Sequence, residues 1–181
     1  MLTHKSKFNS TTKWRTTGRE FLSDIKDWLH VQLNRGNLVE CPACGQKAKI
    51  YSRPLTSKMG VALILLSKGT RVGEDVHVPT FIAEAIKNLP AKTRAGFQGG
   101  DVAKLRHYGL IEEINAPVKG GAKKAGYYRV TKLGRQFSAG KAKVKKRHKI
   151  YNEKLLRLEG PEIYIKEVLP EDFSFKDLMS R

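Results

Sequence analysis

Gly99–Phe137, GGDVAKLRHYGLIEEINAPVKGGAKKAGYYRVTKLGRQF, is the stretch whose reading decides the fold. Val102, Leu105 and Tyr108 fall on one face of a helix over Asp101–Tyr108. Asp101 suits the N-cap of that helix, and Gly109 suits its stop. Leu110–Ile114 then alternates apolar and acidic residues, as a half-buried strand does. A loop follows with Gly120, Gly121 and Gly126 and the cations Lys119, Lys123 and Lys124. Tyr127–Val130 reads as the returning strand, and Thr131 is placed to cap a short helix through Phe137.

Helix, strand, basic glycine-rich loop, strand, helix is the second half of a winged helix-turn-helix. The segments KLRHYGLIEE and GYYRVTKLGRQF resemble the recognition helix, wing and closing helix of MarR- and PadR-type winged-helix regulators. The matching positions are Leu105, Gly109, Leu110 and Ile111, then Tyr128, Val130, Thr131 and Gly134. The match covers about a third of the chain. The whole chain also resembles small phage-encoded proteins that carry a CPxCG turn ahead of such a domain. The resemblance implies transcription regulation through duplex DNA. Lys104, Arg106 and His107 would then face the major groove. Lys119, Lys123 and Lys124, with Arg129 beside the wing, would reach the backbone or minor groove.

Working outward toward the N-terminus, three more pieces fit that unit. Pro54–Ser67 is expected to be its first helix, with Leu55, Met59, Ala62, Leu63 and Leu66 inward. Val76–Val78 reads as a short strand. Pro79–Asn88 reads as the second helix, burying Phe81, Ile82, Ala85 and Ile86. Leu89–Gln98 is a longer connection than a tight helix-turn-helix uses.

The 181 residues carry a formal net charge of +18, and its placement matters more than its size. Residues 91–150 hold 16 Lys/Arg against 3 Asp/Glu, whereas residues 151–181 hold 5 against 7. One sign concentrated in one segment points to a polyanion rather than to a solubility surface. Nucleic acid is therefore the expected partner, with duplex DNA first.

Ahead of the unit, Thr17–Asn34 reads as an amphipathic helix with Phe21, Ile25, Trp28, Leu29 and Leu33 on one stripe. The stripe suits packing on its own chain, or a homodimer or partner contact through Phe21, Ile25 and Trp28. Cys41-Pro-Ala-Cys44-Gly45 is a knuckle whose proline and glycine permit two thiolates to face one tetrahedral zinc. It is half a site, because these are the only two cysteines. His4, His30, His77, His107 and His148 are the available histidines, none preferred. A second chain could also supply ligands, and a metal-free turn is the alternative. Residues 1–15 are polar and basic and read as an arm that either contacts backbone or is disordered.

Lys141–Lys149, KAKVKKRHK, reads as a solvated charge run. Short strands are expected at Lys149–Tyr151, Leu155–Leu158 and Ile163–Lys166, then a helical turn over Phe173–Met179. The expected fold class is α+β. A basic arm (1–15) and a helix plus knuckle (16–53) precede a winged helix-turn-helix (54–140), and a strand/helix extension (141–181) follows.

The chain carries no G-x-x-x-x-G-K-[ST], H-E-x-x-H or G-x-S-x-G motif, and its acidic residues are dispersed, so no enzyme is expected. No apolar run reaches membrane-spanning length, and the first ten residues lack a signal-peptide centre. A cytoplasmic protein is the expectation. The second functional reading is a protein-binding adaptor, an inhibitor of a host nucleic-acid machine, or an RNA-binding component that uses the winged helix as scaffold.

Overall fold

The computed structural model describes residues 22–89, 94, 99–114, 125–170 and 175–180. The chain divides into two compact units, Met1–Tyr51 and Ser52–Arg181. The fold is mixed α+β.

In the first unit, α1 (Leu22–Asn34) buries Ile25, Trp28 and Leu33, while Ser23, Asp24, Lys26 and Asp27 stay exposed. That is the three- and four-residue stripe of the sequence. Ile25 and Trp28 are thus covered within one chain, and Phe21 lies outside the described residues. Gly36, at φ +83°, ends the helix, its N–H donating to the Leu33 carbonyl at 2.9 Å. Two short antiparallel strands follow, β1 (Val39–Glu40) and β2 (Lys47–Ala48), joined by the cysteine turn.

The second unit is organised around α2 (Ser57–Gly69), which buries Met59, Gly60, Val61, Ala62, Leu63, Ile64 and Leu66. A helix buried on nearly all sides is a core element. Each fully buried Leu or Ile contributes ~1.5–3 kcal/mol. Its start corrects the sequence reading. Pro54 ends strand β3 (Tyr51–Pro54), and Thr56 caps α2 by accepting the Met59 N–H. A threonine hydroxyl supplies the acceptor that a helix start lacks, and proline offers none. At the other end, Arg135 donates to the carbonyls of Ser67 (2.7 Å), Thr70 (3.1 Å) and Arg71. One guanidinium thereby satisfies an open carbonyl of the last turn and two just beyond it, at the negative end of the helix dipole.

Next come β4 (Asp75–His77) and α3 (Val78–Ala85), which runs into a 3-10 turn over Ile86–Asn88. Of the connection at 89–98, only Leu89 and Arg94 are described. α4 (Gly99–Ala103) continues as a 3-10 helix over Lys104–Tyr108 and stops at Gly109, φ +69°. Asp101 is therefore inside the helix, not its cap. β5 (Ile111–Glu113) and β6 (Tyr127–Val130) follow, and α5 (Lys132–Ser138) opens at Thr131, which accepts the Gly134 N–H at 2.9 Å. β6 pairs antiparallel with β4 on one side (His77 with Tyr127) and with β5 on the other (Ile111 with Val130).

The tract read as a charge run and scattered strands is one long hairpin, β7 (Val144–Tyr151) and β8 (Lys154–Ile163). Asn152 and Glu153 make its two-residue turn, both in the left-handed region at φ 48° and 59°. β7 lies between β3 and β8. Val144, His148 and Ile150 turn inward, and Ile163, Ile165 and Val168 join the core around α2. Ile165–Glu167 is a 3-10 turn rather than strand, and α6 covers Phe175–Ser180. Among the described residues, no helix is long and apolar enough to cross a membrane.

Candidate nucleic-acid interface and cysteine knuckle

The 3-10 helix at Lys104–Tyr108 carries three of the sequence-selected residues, and they have different fates. Lys104 is part-exposed and pairs with Asp101 at 2.6 Å. Arg106 is part-exposed and lies 3.6 Å from Glu113 on β5. Arg129, on the central strand β6, pairs with Asp75 (2.7 Å) and Glu112 (3.4 Å) from the two flanking strands. His107 is a correction: it is buried and cannot face a groove. Its ring stacks on His148 with centroids 5.0 Å apart. Lys119, Lys123 and Lys124 lie outside the described residues.

Leu105, His107 and Tyr108 are the buried residues of this 3-10 helix, and His107 turns inward with its neighbour Tyr108. What it meets comes from β7. His148 is fully buried, its Nδ1 2.9 Å from the Tyr108 hydroxyl oxygen. The Tyr108 hydroxyl lies 3.2 Å from the Arg53 carbonyl and 3.4 Å from the Lys146 carbonyl, to which it donates. His148 Nδ1 and the Tyr108 hydroxyl share one hydrogen bond, and His148 Nε2 is buried without a partner among the described residues.

The charges around this cluster are mostly positive, with Glu153 opposing them at His107. Burial, then His107, Lys104 and Arg53, push the His148 pKa down to about 4. Burial, then Arg106, lowers His107. Burial raises the Tyr108 phenol. Arg147, close enough to act on Tyr108, donates through Nε to Ser52 Oγ at 2.9 Å. Ser52 Oγ in turn donates to Glu159 (2.7 Å), which also holds Lys149 at 3.0 Å; these two hydrogen bonds keep Glu159 below the usual carboxylate range.

The cations of β7 are thus neighbours of the 3-10 helix, a union that reading the two segments separately missed. The signal was a broken alternation: Val144, His148 and Ile150 inward, with exposed Lys146 interrupting the series. Among the described residues, Lys132, Lys141 and Lys146 are exposed and form no ion pair.

In the first unit, the knuckle is a closed turn. The Cys41 N–H donates to the Gln46 carbonyl at 2.9 Å, and the Gly45 N–H to the Cys41 carbonyl at 2.8 Å. Gly45 takes φ +70°, which its lack of a Cβ permits. The N–H groups of Cys44 and Ala43 point at the Cys41 sulfur and hold its thiol below the ordinary range. Both cysteines are free thiols, Cys44 exposed and Cys41 half-buried. Among the described residues of this unit, no third His, Cys, Asp or Glu joins them. His77 has its Nδ1 2.6 Å from Thr80 Oγ1.

Comparison with family models, with curated proteins and with solved structures gives no match, so the reading of the site rests on the chain's own residues.

Proposed function

We propose that the chain is a nucleic-acid-binding winged-helix protein whose target is duplex DNA, acting as a transcriptional regulator. The observation that carries this reading is the pairing order. A strand between α2 and α3 (β4) pairs with β6, β6 pairs with β5, and the basic segment 116–126 joins β5 to β6 in the sequence. The charge of residues 91–150 supports it. In this reading Lys104 and Arg106 approach the groove, the wing lysines meet phosphates, and Lys146 of β7 adds a backbone contact.

The carboxylates on Lys104, Arg106 and Arg129 do not oppose it. These pairs are part-exposed, and such pairs are worth about 0–1 kcal/mol. A phosphate, whose capture also releases counterions, displaces them.

The test is a salt series on duplex DNA. Lys123→Ala, Lys124→Ala and Lys146→Ala are each expected to flatten the dependence of log affinity on log salt by about 0.9. Lys26→Ala, at an exposed position of α1, is the control. Arg106→Ala is expected to cost about 1–3 kcal/mol at a preferred site and little elsewhere. Unchanged slopes in all three lysine variants would refute the phosphate contacts.

One observation favours a second reading, a protein-binding adaptor. Edge strand β8 exposes Leu155, Leu156 and Leu158. In that reading these leucines, and not the buried Ile25 and Trp28, hold the partner. Capture of a protein partner that Leu156→Asp abolishes, with no DNA affinity at moderate salt, would select it.

A further inference from the structure

Among the described residues, β8 has a neighbouring strand on one edge only, β7. Residues 154–158 are exposed at five consecutive positions, so neither face of that stretch is covered. An open edge presents unpaired backbone groups to any second strand. The side chains decide which strand fits.

The register with β7 sorts the β8 side chains onto two faces. Tyr151, Lys149, Arg147 and Lys145 are alternate residues of β7 and share a face. Opposite them stand Lys154, Arg157, Glu159 and Glu162. Ile150, His148 and Val144 share the other face, opposite Leu155, Leu158 and Ile163. One face of β8 therefore runs cation, cation, anion, anion, and the other carries leucines.

We propose that β8 pairs antiparallel with β8 of a second copy of this chain, about a two-fold axis through Leu158.

A two-fold axis normal to the sheet reverses the strand and keeps each face on its own side. Centred on Leu158, it sets Lys154 opposite Glu162 and Arg157 opposite Glu159, each pair made twice. Both pairs share that one centre. A centre at Arg157 or Glu159 would set a like charge on itself, and in-register parallel pairing would do so along the whole face. On the other face Leu158 meets its own copy. The irregular backbone obeys the same symmetry. The two register shifts against β7 fall at Leu156 and at Gly160–Pro161, on either side of Leu158. Pro161 brings no N–H, so the new ladder is short and the side chains set its register. Charges on an edge strand ordinarily repel a second copy; this order attracts one. Lys154 and Arg157 form no ion pair among the described residues, and Arg157 stands opposite Lys149. Directly opposed like charges are unfavourable. Glu159 of the second copy gives Arg157 an opposite charge on its open side.

The experiment uses the full chain in reducing buffer without nucleic acid, so its outcome is separate from that of the DNA reading. Sedimentation over a concentration series is expected to show a monomer–dimer equilibrium. Lys154→Glu sets carboxylate against carboxylate, and Glu162→Lys sets ammonium against ammonium. Each variant alone is expected to raise the dissociation constant about tenfold. Mixed in equal amounts, the two restore opposite charges at both ends, and a heterodimer as tight as the parent dimer is expected. Arg157→Glu relieves the like-charge pair with Lys149, so its fold is kept, and it is expected to weaken the dimer similarly.

A parent that stays monomeric up to about 1 mM would overturn the proposal, and the leucines of β8 would then serve a different partner. Single variants that dimerise as tightly as the parent would overturn it too. So would a mixture no tighter than its components. Glu162→Lys gives up the Lys145 contact at 3.5 Å. If that variant fails to fold, the parent and Arg157→Glu still decide the matter.

Discussion

Gly134→Ala is expected to destabilise the Ser52–Arg181 unit by about 2–4 kcal/mol. Helix propensity alone argues the opposite, because glycine inside a helix normally costs about 0.5–1 kcal/mol relative to alanine. The neighbourhood of α5 reverses the sign. A Cβ on Gly134 would run into the Leu110 carbonyl oxygen, and would come within 3.0 Å of its carbon and 3.1 Å of Val130 Cγ1. Two of those atoms are backbone and cannot swing aside. Thr131 tightens the approach, because its N–H donates to the Leu110 carbonyl at 3.1 Å and its hydroxyl to the Gly109 carbonyl at 2.7 Å. Moving α5 would also disturb Arg135 on the end of α2. Overpacking costs typically ~1–3 kcal/mol and sometimes more. Urea unfolding of parent and variant gives the answer. A variant as stable as the parent would mean that α5 does not sit on the Leu110 carbonyl.

Lowering the pH is expected to remove about 3 kcal/mol through His148. The ring is fully buried and its pKa is pushed down to about 4, against about 6.5 in an unfolded chain. Between those values the unfolded state binds the proton and the folded state does not, so stability falls as pH falls. The contribution is complete above about pH 6.5, declines below it and is lost by about pH 4. A shift of that size, at 1.36 kcal/mol per pH unit, gives the ~3 kcal/mol. His107, lowered by burial and Arg106, acts in the same direction. Carboxylates contribute their own slope, so the informative quantity is the difference between parent and His148→Gln. That difference is expected to shrink steadily from neutral pH downward. Parallel stability curves for the two proteins would contradict a neutral, buried His148.

Features fixed by near neighbours in sequence were legible. The Gly109 stop, the Thr131 cap, the two strands beside the basic loop and the stripe Ile25, Trp28 and Leu33 all follow from turn chemistry or periodicity over a few residues. The meaning of Gly134 was visible as a motif position only, since its reason is a carbonyl 24 residues earlier in the chain. The misses share one cause, long-range pairing. Pro54 looks like a helix start until β3 is seen to need it beside β7. KAKVKKRHK looks solvated because six of its nine residues are cationic and hide the inward Val144 and His148. Its register also shifts between Lys145 and Arg147, which breaks simple alternation. His107 looked like a groove contact because nothing local announces His148 stacked against it. For the candidate interface, the sequence located the basic segment. It did not join β7 to the 3-10 helix.

The most direct measurement of the central claim is the binding of the parent protein to three labelled ligands of equal length: a mixed-sequence DNA duplex, its single strand and an RNA duplex. Each is titrated over a salt series. The expected result is tightest binding to duplex DNA, with log affinity falling linearly against log salt and a slope set by about 0.9 per phosphate contact. RNA duplex is expected to bind less well, because its deep, narrow major groove does not admit a helix. Failure to bind duplex DNA at low salt, or equal affinity for all three polyanions, would contradict a winged helix that reads duplex DNA.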